Sequence, residues 1–143
     1  MTAKGKDISV LLVDDDDIDR KTVRRAFRQL KIANPVHEAR DGMEALAILR
    51  GTDGHARLET PYLILLDLAM PRMDGLEFLA ELRNDEILNT ALVFVLTTSK
   101  ADEDRTAAYR KNVAGYIVKS DFGNEFMRVV EMIDHYWRVI TFP

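Results

Sequence analysis

Cysteine is absent from this 143-residue sequence. No disulfide framework can form, and a thiolate zinc site is excluded. Long apolar runs are missing too: none approaches the roughly 20 residues that a bilayer-spanning helix needs. The opening MTAKGKD has no long apolar segment behind it, so a secretory signal is not expected. An excess of charge of one sign is also lacking. The 20 Lys and Arg stand against 24 Asp and Glu, a formal net charge of −4, which leaves no bulk basic field for nucleic acid. Repeats, low-complexity tracts and a linker to a second domain are not found. What is present is a chain that is 47% hydrophobic and 31% charged, of a length that suits one domain with a proper core. These features imply a cytoplasmic globular domain with neither a membrane nor a nucleic-acid partner.

Four short apolar runs stand out: ISVLLV (8–13), YLILLDL (62–68), ALVFVL (91–96) and GYIV (115–118). They do not alternate polar with apolar, which suits strands buried on both faces of a parallel sheet. A fifth run, PVHEAR (35–40), is more polar and reads as an edge strand. Helical patterns lie between them. IDRKTVRRAFRQLKI (18–32) places Ile18, Val23, Phe27 and Leu30 on one face and is stopped by Asn34-Pro35. DGMEALAILRG opens at Asp41 and closes at Gly51, a C-terminal cap. DGLEFLAELR begins with Asp74 and carries Glu77 three residues later, a capping-box pattern. DEDRTAAYRKN (102–112) is a more polar helix, and DFGNEFMRVVEMIDHYW (121–137) a long last one. The segment 51–61 reads as a long loop without apolar content. Alternating strands and helices predict a doubly wound α/β fold with a five-stranded parallel sheet in the flavodoxin-like order 2-1-3-4-5.

In such a sheet ligands bind at the carboxyl ends of the strands. The first apolar run ends in Asp14 and Asp15, the second delivers Asp67, the third ends in Thr97 and Thr98, and the last in Lys119. Convergence of three carboxylates is unfavourable unless a cation neutralises them. Oxygen-only ligands point to a hard ion, Mg²⁺ or Mn²⁺. Lys119 and Thr97 would then supply a point charge and a hydrogen bond to a phosphate, and a carboxylate can itself be the nucleophile. Asp16, Asp17 and Asp19 fall at the start of the first helix, where they complement its positive end at about 0.3–1 kcal/mol each, with Asp16 or Asp17 as the cap.

The segments LLVDDD, LILLDLAMPRMDGLEFL, VFVLTTS and GYIVKS, in this order and at this spacing, strongly resemble receiver domains of two-component response regulators over residues 8 to about 135. The resemblance divides the chain into an extension (1–7), a receiver domain (8–137) and an apolar tail (138–143). It implies that Asp67 is the phosphoacceptor. It also implies that Asp15 is a direct metal ligand, that Asp14 acts largely through water, and that the Ala69 carbonyl is the third protein ligand. Thr97 matches the switch hydroxyl, Tyr116 the switch aromatic and Lys119 the lysine that pairs with the phosphoryl group, while Pro71 and Gly75 match the turn after the acceptor. The chain is also similar to small stand-alone receivers that partner cyanobacterial and bacterial phytochrome kinases. Two positions depart from the pattern. Ser120 stands where many receivers have proline after the lysine in a cis bond, which costs a non-proline residue about 2.5–4 kcal/mol. Ala69 puts a methyl where many relatives carry a polar side chain.

The resemblance therefore implies a Mg²⁺-dependent signalling switch, phosphorylated by a sensor histidine kinase of phytochrome type, with output through protein contact or phosphorelay rather than catalysis on an external substrate. A Mg²⁺-dependent phosphohydrolase with an aspartate nucleophile is the second reading. Ala69 counts against it, because such enzymes usually carry an acid two residues after the nucleophile. A phosphorylation-independent scaffold is the third. The basic residues Arg20, Lys21, Arg24, Arg25, Arg28 and Lys31 of the first helix are either a solvated face or a kinase-docking face. His37, His55 and His135 have no metal-ligand spacing. Phe122, Phe126, Val129, Val130, Met132, Ile133, Tyr136 and Trp137 make an apolar stripe wider than one sheet face needs. Together with Val139, Ile140 and Phe142, this predicts homodimerisation through the last helix and tail.

Overall fold

The computed structural model describes residues 8–29, 31, 34–68, 70, 72–97, 112–118 and 131. Its elements are β1 (Ser9–Val13), α1 (Asp17–Gln29), β2 (Val36–Ala39), α2 (Gly42–Arg50), β3 (Tyr62–Asp67), α3 (Gly75–Asn84), β4 (Leu92–Thr97) and β5 (Gly115–Val118). The strands form one five-stranded sheet in the order β2-β1-β3-β4-β5, every neighbouring pair parallel. This is the expected 2-1-3-4-5 arrangement, with the polar strand β2 at an edge. The expected helices 102–112 and 121–137, and the tail, lie almost entirely outside the described residues.

Side chains alternate across a strand, and that alternation sorts the apolar runs into two cores. Leu11, Val13, Ile64, Leu66, Val93 and Val95 face α2 and α3, where Leu46, Leu49, Phe78, Leu79 and Leu82 meet them. Val10, Leu12, Leu63, Leu65, Phe94 and Leu96 face the other way, toward Val23, Ala26 and Phe27 of α1. A sheet covered on both sides has no use for polar alternation, which explains the continuous runs.

Helix starts follow from short acidic side chains. Asp16 Oδ1 accepts from the backbone N–H groups of Ile18 (2.8 Å) and Asp19 (3.2 Å), so Asp16 caps α1. Asp41 Oδ1 accepts from Glu44 N–H at 2.9 Å and caps α2. Asp74 and Glu77 bond each other's backbone N–H groups in a full capping box. α2 ends at Gly51, whose φ of 74° is left-handed and suits a residue without Cβ.

Two expectations are corrected. Ile18 does not join the buried face of α1; it is 73% exposed. Five residues separate Ile18 from Val23, a rotation of about 140° at roughly 100° per residue. Arg20, three residues before Val23, takes the inward position instead. The segment 51–61 does carry an apolar anchor: Leu58 is buried in the α2–α3 core, and its N–H donates to the Ile48 carbonyl.

α1 is tied to the edge strand by an ion cluster. Glu38 on β2 accepts from Arg20 Nε at 2.9 Å and from Arg24 Nε, and Arg24 Nη2 donates to the Val36 carbonyl at 2.9 Å. Partial burial pushes the Glu38 carboxyl up, but Arg24 and then Arg20 outweigh it and hold its pKa below the ordinary glutamate value.

Two outcomes are expected. Phe78→Ala, which empties a fully buried ring position, lowers unfolding free energy by about 3–5 kcal/mol in urea denaturation with an unchanged m-value. Because the folded-state pKa of Glu38 is depressed, its stabilisation is complete above the unfolded value near about 4.3 and is lost as pH falls below it. The gap in urea midpoint between wild type and Glu38→Gln is therefore expected at about pH 6 and narrows as pH falls below the ordinary glutamate range.

Candidate metal and phosphoacceptor site

β1 and β3 are adjacent and in register, with Val13 opposite Leu66. Their carboxyl ends therefore reach the same level, and the next residues, Asp14 and Asp67, meet there. Carboxylate oxygens of Asp14, Asp15 and Asp67 lie within 4.8 Å of one another. Asp14 is 0% exposed and Asp67 3% exposed, whereas Asp15 is open to solvent. Asp14 is fixed at several atoms. Its N–H donates to the Ala39 carbonyl at 3.0 Å, its Oδ1 accepts from Asp16 N–H at 3.0 Å, and its carbonyl accepts from Arg20 Nη1 at 2.6 Å.

The donor set fits a hard divalent cation. It is made of carboxylate oxygens, with one exposed member to admit an ion that keeps part of its water shell. Among the described residues no soft-metal ligand joins the cluster.

The chain that follows Asp67 turns tightly into α3. Gly75 N–H donates to the Leu68 carbonyl at 2.9 Å. A Cβ on Gly75 would stand 2.6 Å from the Asp67 carbonyl oxygen and 2.5 Å from Leu68 Cα. Glycine is thus required by close backbone approach beside Asp67. Arg72 binds Asp41 Oδ2 through Nε (2.8 Å) and Nη2 (2.5 Å), and Gly42 N–H donates to the Met73 carbonyl. These bonds tie the loop after β3 to the start of α2.

The other expected site residues fall as follows. Thr97 ends β4, paired with Val118 and one position past Leu96, which pairs with Asp67. Its backbone therefore lies on the same rim as the acidic cluster. Tyr116 lies in β5, half-buried against the α2–α3 core. Ala69, Pro71, Thr98, Lys119 and Ser120 lie outside the described residues, as does the Thr97 side chain. Of the histidines, His37 is exposed and His55 partly so, and neither belongs to the acidic cluster.

The sequence reading missed Arg20, which is 8% exposed rather than part of an outer basic face. It also missed the Arg72–Asp41 pair, whose members are 31 positions apart. The signal for Arg20 was present: it lies three residues before Val23 and seven before Phe27, on the buried stripe.

Comparison with known proteins agrees with this geometry. Residues 10–131 match the response regulator receiver domain. The probable methanogenesis regulatory protein FilR2 of Methanothrix harundinacea is 38% identical over 128 residues, 90% of this chain and 82% of that protein. The crystal structure of the phosphorylated cyanobacterial phytochrome response regulator RcpA superposes with a TM-score of 0.84 at 35% identity, covering 96% of this chain and 99% of that one. The Mn²⁺-bound form of response regulator Rcp1, a protein of Synechocystis, gives a TM-score of 0.79 at 34% identity, covering 95% and 99%. Fold, acidic cluster and family match converge, and the chain belongs to the response regulator receiver domain family.

Proposed function

We propose that this chain is a phosphorylation-driven signalling switch that receives a phosphoryl group from a sensor histidine kinase on Asp67, with a divalent cation, Mg²⁺ in the cell, held by Asp15, Asp67 and the Ala69 carbonyl directly and by Asp14 largely through water. One observation carries the reading: a buried Asp67 carboxylate at a strand end shares one point with the carboxylates of Asp14 and Asp15. The similarity to a phosphorylated phytochrome response regulator and to a Mn²⁺-bound one supports it. It also favours a kinase of phytochrome type. That partner, and the absence of a membrane-crossing helix among the described residues, are consistent with a cytoplasmic site of action.

The chemistry is a phosphoryl transfer between donor nitrogen and acceptor oxygen. An Asp67 carboxylate oxygen forms the new O–P bond as the donor histidine's N–P bond breaks, and the imidazole nitrogen leaves with the bonding pair and takes up a proton. The cation's contribution is charge: it offsets the crowded carboxylates and the charge on the phosphoryl oxygens. Burial of Asp67 at the end of β3 orients the nucleophile and limits competing water. Lys119 is assigned to pair with the phosphoryl group and Thr97 to bond it. Thr97 and Tyr116 then move together, so that phosphorylation selects one of two conformations through its own contacts. Output follows by protein contact or phosphorelay.

Acetyl phosphate with Mg²⁺, read by intact-protein mass, tests this. One phosphoryl adduct is expected on the wild type, none on Asp67→Asn and none when Mg²⁺ is chelated. An adduct that persists in Asp67→Asn, or many turnovers of acetyl phosphate per chain with no adduct, contradicts the assignment and favours a hydrolase.

A further inference from the structure

Arg20 is buried and bonds the backbone of the acidic cluster. Its guanidinium uses a fork of donors. Nη1 donates to the Asp14 carbonyl at 2.6 Å, Nε to Glu38 Oε1 at 2.9 Å, and Nη2 to Asp17 Oδ1. The Asp14 carbonyl belongs to the peptide that joins Asp14 to Asp15, the two acidic neighbours whose side chains must be presented together. With Asp14 N–H already held by Ala39, the bond from Arg20 fixes the other end of the residue and so the direction in which Asp15 leaves. Arg20 is itself immobilised by β2 through Glu38 and by the first turn of α1 through Asp17.

We propose that Arg20 is a positioning residue for the cation site: it locks the Asp14–Asp15 peptide so that both carboxylates are aimed before the ion arrives. This rests on the reading of Asp14, Asp15 and Asp67 as a divalent-cation site. A buried cation also acts in the opposite sense, since positive charge near the cluster repels a second positive ion. Local charge balance decides which effect wins. Arg20 and Arg24 are matched by Glu38 and Asp17, two cations and two anions, so the net field of this group at the site is small. Removal of the guanidinium leaves Arg24 against Glu38 and Asp17, a net negative charge that by itself favours a cation, so weaker binding in its absence reports lost geometry. Lysine substitutes for it only in part, because one ammonium cannot span three acceptors in a planar fork.

The test is Mn²⁺ titration followed by electron paramagnetic resonance, with metal-free thermal unfolding measured in parallel, on wild type, Arg20→Met, Arg20→Lys and Glu38→Gln. Arg20→Met is expected to raise the Mn²⁺ Kd about tenfold, in line with the loss typical of groups that orient metal ligands, and Arg20→Lys to raise it less. Glu38→Gln removes an ion pair from the same guanidinium but keeps its bond to the Asp14 carbonyl, and its Kd is expected to stay within about twofold of wild type. If Arg20→Met unfolds at lower temperature but binds Mn²⁺ as the wild type does, Arg20 merely fastens α1 to β2 and the proposal fails. Equal weakening in Arg20→Met and Glu38→Gln overturns it as well, since the effect would then follow the ion cluster and not the peptide lock. Should Arg20→Met fail to fold, Arg20→Lys against Glu38→Gln decides by the same criteria. A wild type that binds no Mn²⁺ overturns the cation-site reading itself, a distinct failure.

Discussion

Carboxylates gathered at one point repel each other, and the oxygens of Asp14, Asp15 and Asp67 lie within 4.8 Å of one another. For unit charges about 4 Å apart the repulsion runs from about 1 kcal/mol in water to about 4 kcal/mol at an effective dielectric of 20. Two of the three members are buried, so the site sits above the lower figure. The fold imposes this arrangement because β1 and β3 are parallel neighbours in register and both end in aspartate. In the proposed function a cation bound there relieves this crowding. Stability is given up locally so that charge can be recovered on binding.

The surrounding structure holds the crowded side chains in place. Two separate cores grip the strands from opposite faces, and the chain leaves the ends of β1 and β3 under restraint. On the β1 side, Ala39, Asp16 and Arg20 each hold a different atom of Asp14. On the β3 side, Gly75 lets α3 approach the Asp67 backbone, and Arg72 and Met73 tie the intervening loop to the start of α2. A loose rim would relieve repulsion by letting carboxylates swing apart. This one meets the ion already formed, which keeps the cost of ordering low.

Much of this was legible in the sequence because it depends on local pattern. Uninterrupted apolar runs marked β1, β3, β4 and β5, the polar run marked edge strand β2, and strand-end aspartates marked the site. Asp41, Asp74 and Gly51 announced their helix ends through short-range hydrogen bonding alone. What was not legible depends on distant partners. Five basic residues on α1 look alike in composition; spacing to Val23 and Phe27 puts Arg20 on the buried stripe, but its partner Glu38, 18 positions beyond, is set by the fold alone. Ile18 looked like core but lies about 140° around the helix from Val23. Leu58 is a lone apolar residue in a polar segment, and only the space beside Ile48 makes it core. Arg72 finds Asp41 across the gap between two helices, a contact no spacing rule foretells.

The most direct measurement is anomalous diffraction from crystals of this protein grown with Mn²⁺. One anomalous peak is expected within bonding distance of carboxylate oxygens from both Asp15 and Asp67, with Asp14 behind it. A fully occupied Mn²⁺ peak elsewhere, or none at this cluster while the three carboxylates remain together, would contradict the claim that their crowding exists to hold a cation.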